Sequence, residues 1–214
     1  MVNELILVFV AHSDDEVIGM GGTILKYIQE KKDIVTVLVS NGEKSSPWLK
    51  KDLLVKERIK ETEDIEKFLG IKKTLFLDYK DTKLKEELDT PEAEKKIEAI
   101  IKEFKPKKIF THSSFDAHLD HRAVNKIVMK VLDKIDKKNR INLYSFEIWN
   151  VIEETNPRIY VDISSTFKKK LQAIKKFKSQ KIYTYILLIP TIYKAFILGM
   201  LNKCRFAERF YRLR

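Results

Sequence analysis

Residues 5–10 read LILVFV, six apolar side chains in a row with no polar face among them. A run that short and that apolar is a buried strand. Further strands are expected at Ile34–Ser40, Thr74–Leu77, Lys108–Thr111 and Ile141–Phe146, with a weaker one at Ile159–Ile163. Amphipathic stretches separate them, at about Glu16–Glu30, Lys51–Leu69, Pro91–Phe104, His121–Ile135 and Ser165–Ser179. Pro91 behind Thr90 suits a helix start with a threonine cap. Strands alternating with helices predict an α/β fold, a Rossmann-like, mostly parallel sheet with helices on both faces. Neither a repeat nor a low-complexity linker interrupts the 214 residues, so a single domain over 1–214 is expected.

In such sheets ligands sit at the carboxyl ends of the strands, where the strand order reverses. With the order 3-2-1-4, strands one and four flank that point. AHSDDEVIGMGG (residues 11–22) follows strand one, and THSSFDAHLDHR (residues 111–122) follows strand four. The four histidines, His12, His112, His118 and His121, all fall in these two segments. The fold should bring both to one crevice.

A buried strand ending in His12, Asp14, Asp15 and Glu16 is a poor way to build a core, because adjacent acids repel. A cation relieves that repulsion. Imidazole nitrogens and carboxylate oxygens together suit Zn²⁺, and a catalytic zinc keeps three protein ligands and one open position. His12, one of Asp14/Asp15, and His118 or His121 could supply the three. One carboxylate is then left as base and one histidine as acid or oxyanion stabiliser, the complement for metal-assisted hydrolysis. Each piece has a plainer reading: a strand-end histidine, acids at the positive end of a helix, a chance HLDH. Their convergence at the switch point favours the metal, with His112 a structural neighbour rather than a ligand. GMGG (Gly19–Gly22) lacks the G-x-G-x-x-G spacing and follows acids that would repel a pyrophosphate. Close helix–sheet packing explains it better, so a sugar-nucleotide-binding Rossmann protein is the weaker alternative.

The blocks AHSDDE, GMGGTI, SNGE (Ser40–Glu43), RIKE (Arg58–Glu61) and FDAHLDHRAV, in that order, resemble the zinc-dependent N-acetylglucosaminyl deacetylases of the PIG-L/LmbE-like family. VDIS (Val161–Ser164), SQ (Ser179, Gln180) and AERF (Ala207–Phe210) look like that family's later blocks. Ser13 and Leu119 stand where the family's HPDDE and HPDH motifs carry proline. The resemblance implies that His12, Asp15 and His121 hold Zn²⁺ or another divalent metal, with Asp14 the general base. It implies that His118 stabilises the tetrahedral intermediate and protonates the leaving amine, with Asp120 orienting it. Arg58 matches an arginine that contacts sugar hydroxyls or a phosphate; its plain alternative is an intrahelical pair with Glu61. The implied reaction removes the N-acetyl group of an N-acetylglucosamine-containing molecule, against the alternative of a non-catalytic metal- or sugar-binding module.

Lys+Arg 42 against Asp+Glu 31 gives a net charge of +11, which favours acidic partners, yet no nucleic-acid motif or aromatic-interleaved basic patch appears. The single Cys204 and the lack of a secretory signal suit the cytoplasm. Ile182–Met200 is the most apolar stretch, interrupted by Pro190 and Lys194 and followed by Lys203, Arg205, Arg209, Arg212 and Arg214. A helical extension over 182–214 is expected, covered by the core, by a second copy of the chain or by peripheral contact with an anionic membrane.

Overall fold

The computed structural model describes residues 3–43, 51–148, 154–179 and 181–214, without the side chains of 51–53 and 181–185. Its elements run β1 (Leu5–Val10), α1 (Asp15–Gln29), β2 (Asp33–Ser40), α2 (Lys51–Leu69), β3 (Lys73–Tyr79), α3 (Leu84–Glu87) and α4 (Pro91–Phe104). They continue as β4 (Lys108–His112), α5 (Leu119–Ile135), β5 (Asn142–Phe146), β6 (Arg158–Asp162), α6 (Phe167–Ile174), α7 (Lys181–Leu201) and β7 (Ala207–Arg212). The sheet order is β3-β2-β1-β4-β5-β7-β6. Strands β1 to β5 pair in parallel, and β7 runs antiparallel to both β5 and β6.

The apolar run of β1 explains the layering. Successive strand side chains point to opposite faces. Leu7 and Phe9 therefore join a core completed by Ile97 and Ile101 of α4 and Val124 and Val128 of α5. Ile6, Val8 and Val10 join the opposite core with Ile24 of α1, Leu69 of α2 and Ala173 of α6. A strand apolar on both sides is what a sheet covered on both faces requires. Thr90 Oγ1 accepts the Ala93 N–H at 3.2 Å, capping α4 as its sequence suggests.

Three features depart from the sequence reading. Residues 207–212 form a strand between β5 and β6, not the continuation of a helix to residue 214. Helix α6 ends at Ile174, short of Ser179, and α3 is an additional short turn. Gln180 of the SQ block lies outside the described residues.

The GMGG segment is a packing device. Met20 breaks the helical geometry of α1 (φ −144°, ψ 19°). The freed N–H groups of Gly22 and Thr23 donate to the Glu208 carboxylate of β7 at 3.0 and 2.7 Å. Buried Lys170 donates to the same carboxylate and to the Ile18 carbonyl, each at 2.7 Å. A Cβ at Gly19 would meet the Phe146 ring at 2.5 Å, and one at Gly22 would meet Ile163 at 2.8 Å. No side chain fits at either position.

Candidate active site

The turn after β1 is strained. Asp14 has φ 131°, a conformation rare outside glycine, which costs about 1–3 kcal/mol. Its carbonyl starts α1 by accepting the N–H groups of Val17 and Ile18 at 3.0 and 2.8 Å. Arg58, buried on α2, pins the turn from the other side. Its Nη2 donates to the Ser13 carbonyl at 3.1 Å, and its Nε and Nη2 donate to Ser13 Oγ at 3.2 and 3.0 Å. Gly42 (φ 67°) admits the guanidinium, since a Cβ there would lie 2.7 Å from Arg58 Nε. Ser13 thus offers Arg58 an acceptor that a proline would lack. Glu61 is engaged elsewhere, accepting Ser179 N–H at 2.8 Å and Ser179 Oγ–H at 2.6 Å.

The two histidine-bearing segments meet here. Asp15 Oδ2 lies 3.5 Å from His12 Nδ1, 3.4 Å from His121 Nε2 and 3.3 Å from His112 Nε2, and it accepts the His12 N–H at 2.8 Å. Ligand atoms of His12, Asp15 and His121 all fall within 4.8 Å of one another. The remote nitrogen of each of these imidazoles has a carboxylate beside it. His121 Nδ1 is 3.1 Å from Asp116, and His12 Nε2 is 3.2 Å from Asp81 and 3.4 Å from Asp120. Carboxylates behind imidazoles fix ring orientation and raise ligand basicity, so this donor set fits a divalent cation on the Asp15 side. His12–His118–Asp120 and His112–Asp116–His121 also cluster. In the latter, His112 stacks flat on His121 at 3.9 Å and uses Nε2 to accept the Ala11 N–H at 2.9 Å. Burial and the neighbouring His121 push the His112 pKa down to about 4, so the ring is neutral.

Charge in the cluster is unevenly shared. Burial opposes ionisation of Asp15, but the charge of His121 outweighs it and holds the carboxyl well below its usual range. Burial and the charge of Asp15 push Asp14 up to about 7. Burial likewise raises Glu16 to about 8. Two adjacent aspartates therefore differ in kind: Asp15 is an anion among imidazoles, and Asp14 is a carboxyl that titrates near neutrality.

His118 caps α5, its Nδ1 accepting the Asp120 N–H at 3.2 Å while its own N–H donates to Asp116 at 2.8 Å. Its ring, solvent-exposed, stands 4.9 Å from that of His12 and 4.7 Å from that of His121. The Asp120 carboxylate does not orient that ring. It accepts the N–H groups of Thr82 and Leu84 at 2.8 and 3.2 Å and faces His12, so it fixes the loop after β3. Thr82, at φ 64°, needs that support because β-branched residues rarely adopt positive φ. The sequence reading missed Asp81 and Asp116. Asp81 follows the carboxyl end of β3, and Asp116 sits inside FDAHLDH, so the edge rule applied to every strand would have reached both. Beyond His118 an open groove of about 210 Å³ runs over Leu88, Leu119, Ala123 and Ile127, bordered by Lys85 and Arg122.

The GlcNAc-PI de-N-acetylase (PIG-L) family pattern matches residues 7–132, spanning both histidine segments. The chain is 28% identical over 184 residues to a probable N-acetyl-alpha-D-glucosaminyl L-malate deacetylase 2 of Bacillus anthracis, covering 82% of this chain and 80% of that protein. It is 28% identical over 182 residues to the diacetylchitobiose deacetylase of Thermococcus kodakarensis, covering 79% and 67%. Among solved structures, the N,N'-diacetylchitobiose deacetylase of Pyrococcus horikoshii superposes with a TM-score of 0.83 at 24% identity, covering 98% of this chain and 84% of that one. A 4-carboxy-2-hydroxymuconate hydratase of Pseudomonas putida superposes with a TM-score of 0.81 at 18% identity, covering 99% and 96%. One fold here carries two chemistries, and the fold alone does not name the reaction.

Proposed function

The chain belongs to the GlcNAc-PI de-N-acetylase (PIG-L) family, and from that premise we propose that it is a metal-dependent N-deacetylase. Its substrate is an N-acetylglucosamine-containing small molecule, released as acetate and the free amine. The observation that carries this reading is the meeting of half-buried His12 with buried Asp15 and His121, with Asp14 in the adjoining strained turn and His118 beside both imidazoles. The Bacillus anthracis and Thermococcus kodakarensis relatives are named as deacetylases of N-acetylated amino sugars, which supports the substrate class. We read residues 1–214 as one domain built on the single sheet.

His12, Asp15 and His121 would hold Zn²⁺ or another divalent cation, with Asp116, Asp81 and Asp120 behind the imidazoles. When bound, that cation supplies the Lewis acidity that makes water a nucleophile near neutral pH. Asp14 takes a proton from the attacking water as its oxygen adds to the acetamide carbon. His118 keeps Nδ1 as an acceptor toward Asp120 N–H, so its neutral ring carries hydrogen on Nε2. That N–H donates to the carbonyl oxygen as negative charge develops. The C–N bond then breaks, and the proton held by Asp14 closes the balance on the leaving amine. This differs from the sequence reading, in which His118 protonates the amine. Arg58 acts through Ser13 as a positioning residue for the Asp14 turn, rather than first through the sugar. Acetate release should be measured from diacetylchitobiose, a GlcNAc-malate conjugate and an inositol-linked GlcNAc, with and without added zinc. Turnover of at least one, lost on chelation, is expected; zinc-replete protein inert on all three would refute the reading.

A further inference from the structure

We propose that the outer face of α7 is a docking surface for an anionic lipid bilayer, on which the helix lies in the plane of the headgroups. The inference stands independently of the deacetylase reading. A helix on a protein surface normally turns a polar face to water. The inner face of α7 is conventional, with Thr191, Ala195 and Leu198 buried. The outer face is apolar as well. Ile186, Ile189, Tyr193, Phe196 and Met200 follow the 3-4-3-4 spacing of a single stripe, and they are exposed from 44% at Phe196 to 74% at Ile189. The sequence suggests that Lys194 interrupts this stripe, but the structure turns Lys194 inward. Its Nζ pairs at 2.6 Å with buried Glu147, which Arg209 and Tyr211 also hold at 2.6 Å. The one charge between residues 186 and 201 is thereby removed from the outer face.

The surroundings choose the occupant. From Ile163 to Ala207 the sequence carries ten Lys or Arg and no Asp or Glu. An aromatic ladder ties exposed cations to the stripe: Phe196 lies 6.5 Å from Phe206, which stacks on Phe167 at 3.8 Å and carries Arg205 over its ring at 5.4 Å. Lys168 and Lys169 follow Phe167, and Lys203 precedes Arg205 by two residues. Cations around an apolar stripe complement anionic headgroups over acyl chains, whereas two copies of this face would bring like charges together. Among the described residues no helix is long and apolar enough to cross a membrane, and α7 is tied along one side to the protein, so it lies on the bilayer rather than spanning it.

Co-sedimentation of the purified chain with vesicles of phosphatidylcholine, alone or mixed with phosphatidylglycerol, tests this. Binding is expected to the mixed vesicles, weakening as salt rises. Ile189→Glu and Phe196→Glu should each weaken it by on the order of tenfold, and so should the double variant Lys203→Glu/Arg205→Glu. Circular dichroism and acetate release from a soluble substrate should match the parent chain, which shows that the variants fold. No binding of the parent chain to the mixed vesicles, or equal binding to phosphatidylcholine alone, would overturn the proposal. So would a stable dimer in sedimentation equilibrium that Ile189→Glu converts to monomer, because the face would then belong to a second copy.

Discussion

Asp14 and Asp15 are neighbours in sequence with opposite electrostatic fates, and their amide variants should separate them. Asp14→Asn should keep stoichiometric metal and lose roughly 10²–10⁴ in kcat, the range for losing general-base help. Asp15→Asn should lose metal first, since a neutral amide is a poor ligand. Elemental analysis of both variants decides; metal lost from Asp14→Asn and kept by Asp15→Asn would reverse the roles. Glu16 offers a pH test in the metal-free protein. Folded, it is held near 8, against 4.5 in an unfolded chain. Between those values the unfolded chain releases a proton that the folded chain keeps, so stability falls as pH rises. Glu16→Gln removes that loss, and its advantage in urea over the parent should grow from about pH 5 to about pH 8, by a few kcal/mol at most. An advantage that does not change with pH would count against the buried, protonated Glu16. Residue identities were legible because histidine is rare here and the residues cluster by strand end. The division of labour between Asp14 and Asp15 came only from the family resemblance and not from the residue pattern, because it depends on which carboxylate the distant His121 faces. Arg58 shows the same limit: sequence places it on a helix facing the crevice, but its partner Ser13 lies across the fold.

At the scale of elements, β1 and β2 were readable because a strand apolar on both faces has few alternatives, and β3 to β5 because short apolar runs stand between helical stretches. The strand β7 was not. AERFYR carries three charges and no apolar alternation, and Glu208 becomes a core residue only through Lys170 and the broken turn of α1. Sequence windows cannot see a carboxylate capping a helix that lies far back in the chain. Glu208→Ala should therefore destabilise by about 3–5 kcal/mol, because it leaves the Lys170 ammonium buried without its carboxylate. Adding Lys170→Met should recover much of that loss, as removing both charges leaves no buried ion. Urea denaturation of the single and double variants measures both. A single variant within about 0.5 kcal/mol of the parent, the usual range of surface substitutions, would show that the cap and the pair contribute little.

For the whole molecule, the site is a consequence of the sheet. Strands β1 and β4 are adjacent in space and distant in sequence, so the ligand set does not exist until the parallel core has formed. A cation that binds the folded chain and not the unfolded one stabilises by RT ln(1 + [L]/Kd), about 4 kcal/mol when its concentration is 1,000 times Kd. Four buried histidine-associated aspartates (Asp15, Asp81, Asp116 and Asp120) and the raised Asp14 and Glu16 make the metal-free cluster costly in addition. Removing metal with a chelator should lower the Tm of the parent chain, and readdition of zinc should restore it in a concentration-dependent way. His12→Ala and His121→Ala should start near the chelated Tm and respond little to either treatment. His118→Ala should keep the full metal-dependent shift while losing acetate release, because His118 sits beside the ligand set and caps α5 instead of belonging to it. Differential scanning calorimetry on the four proteins, each with and without chelator, distinguishes these cases. A parent Tm that ignores chelation, or a His118→Ala variant that loses the shift with His121→Ala keeping it, would move the metal away from Asp15 and toward the His118 side of the cluster.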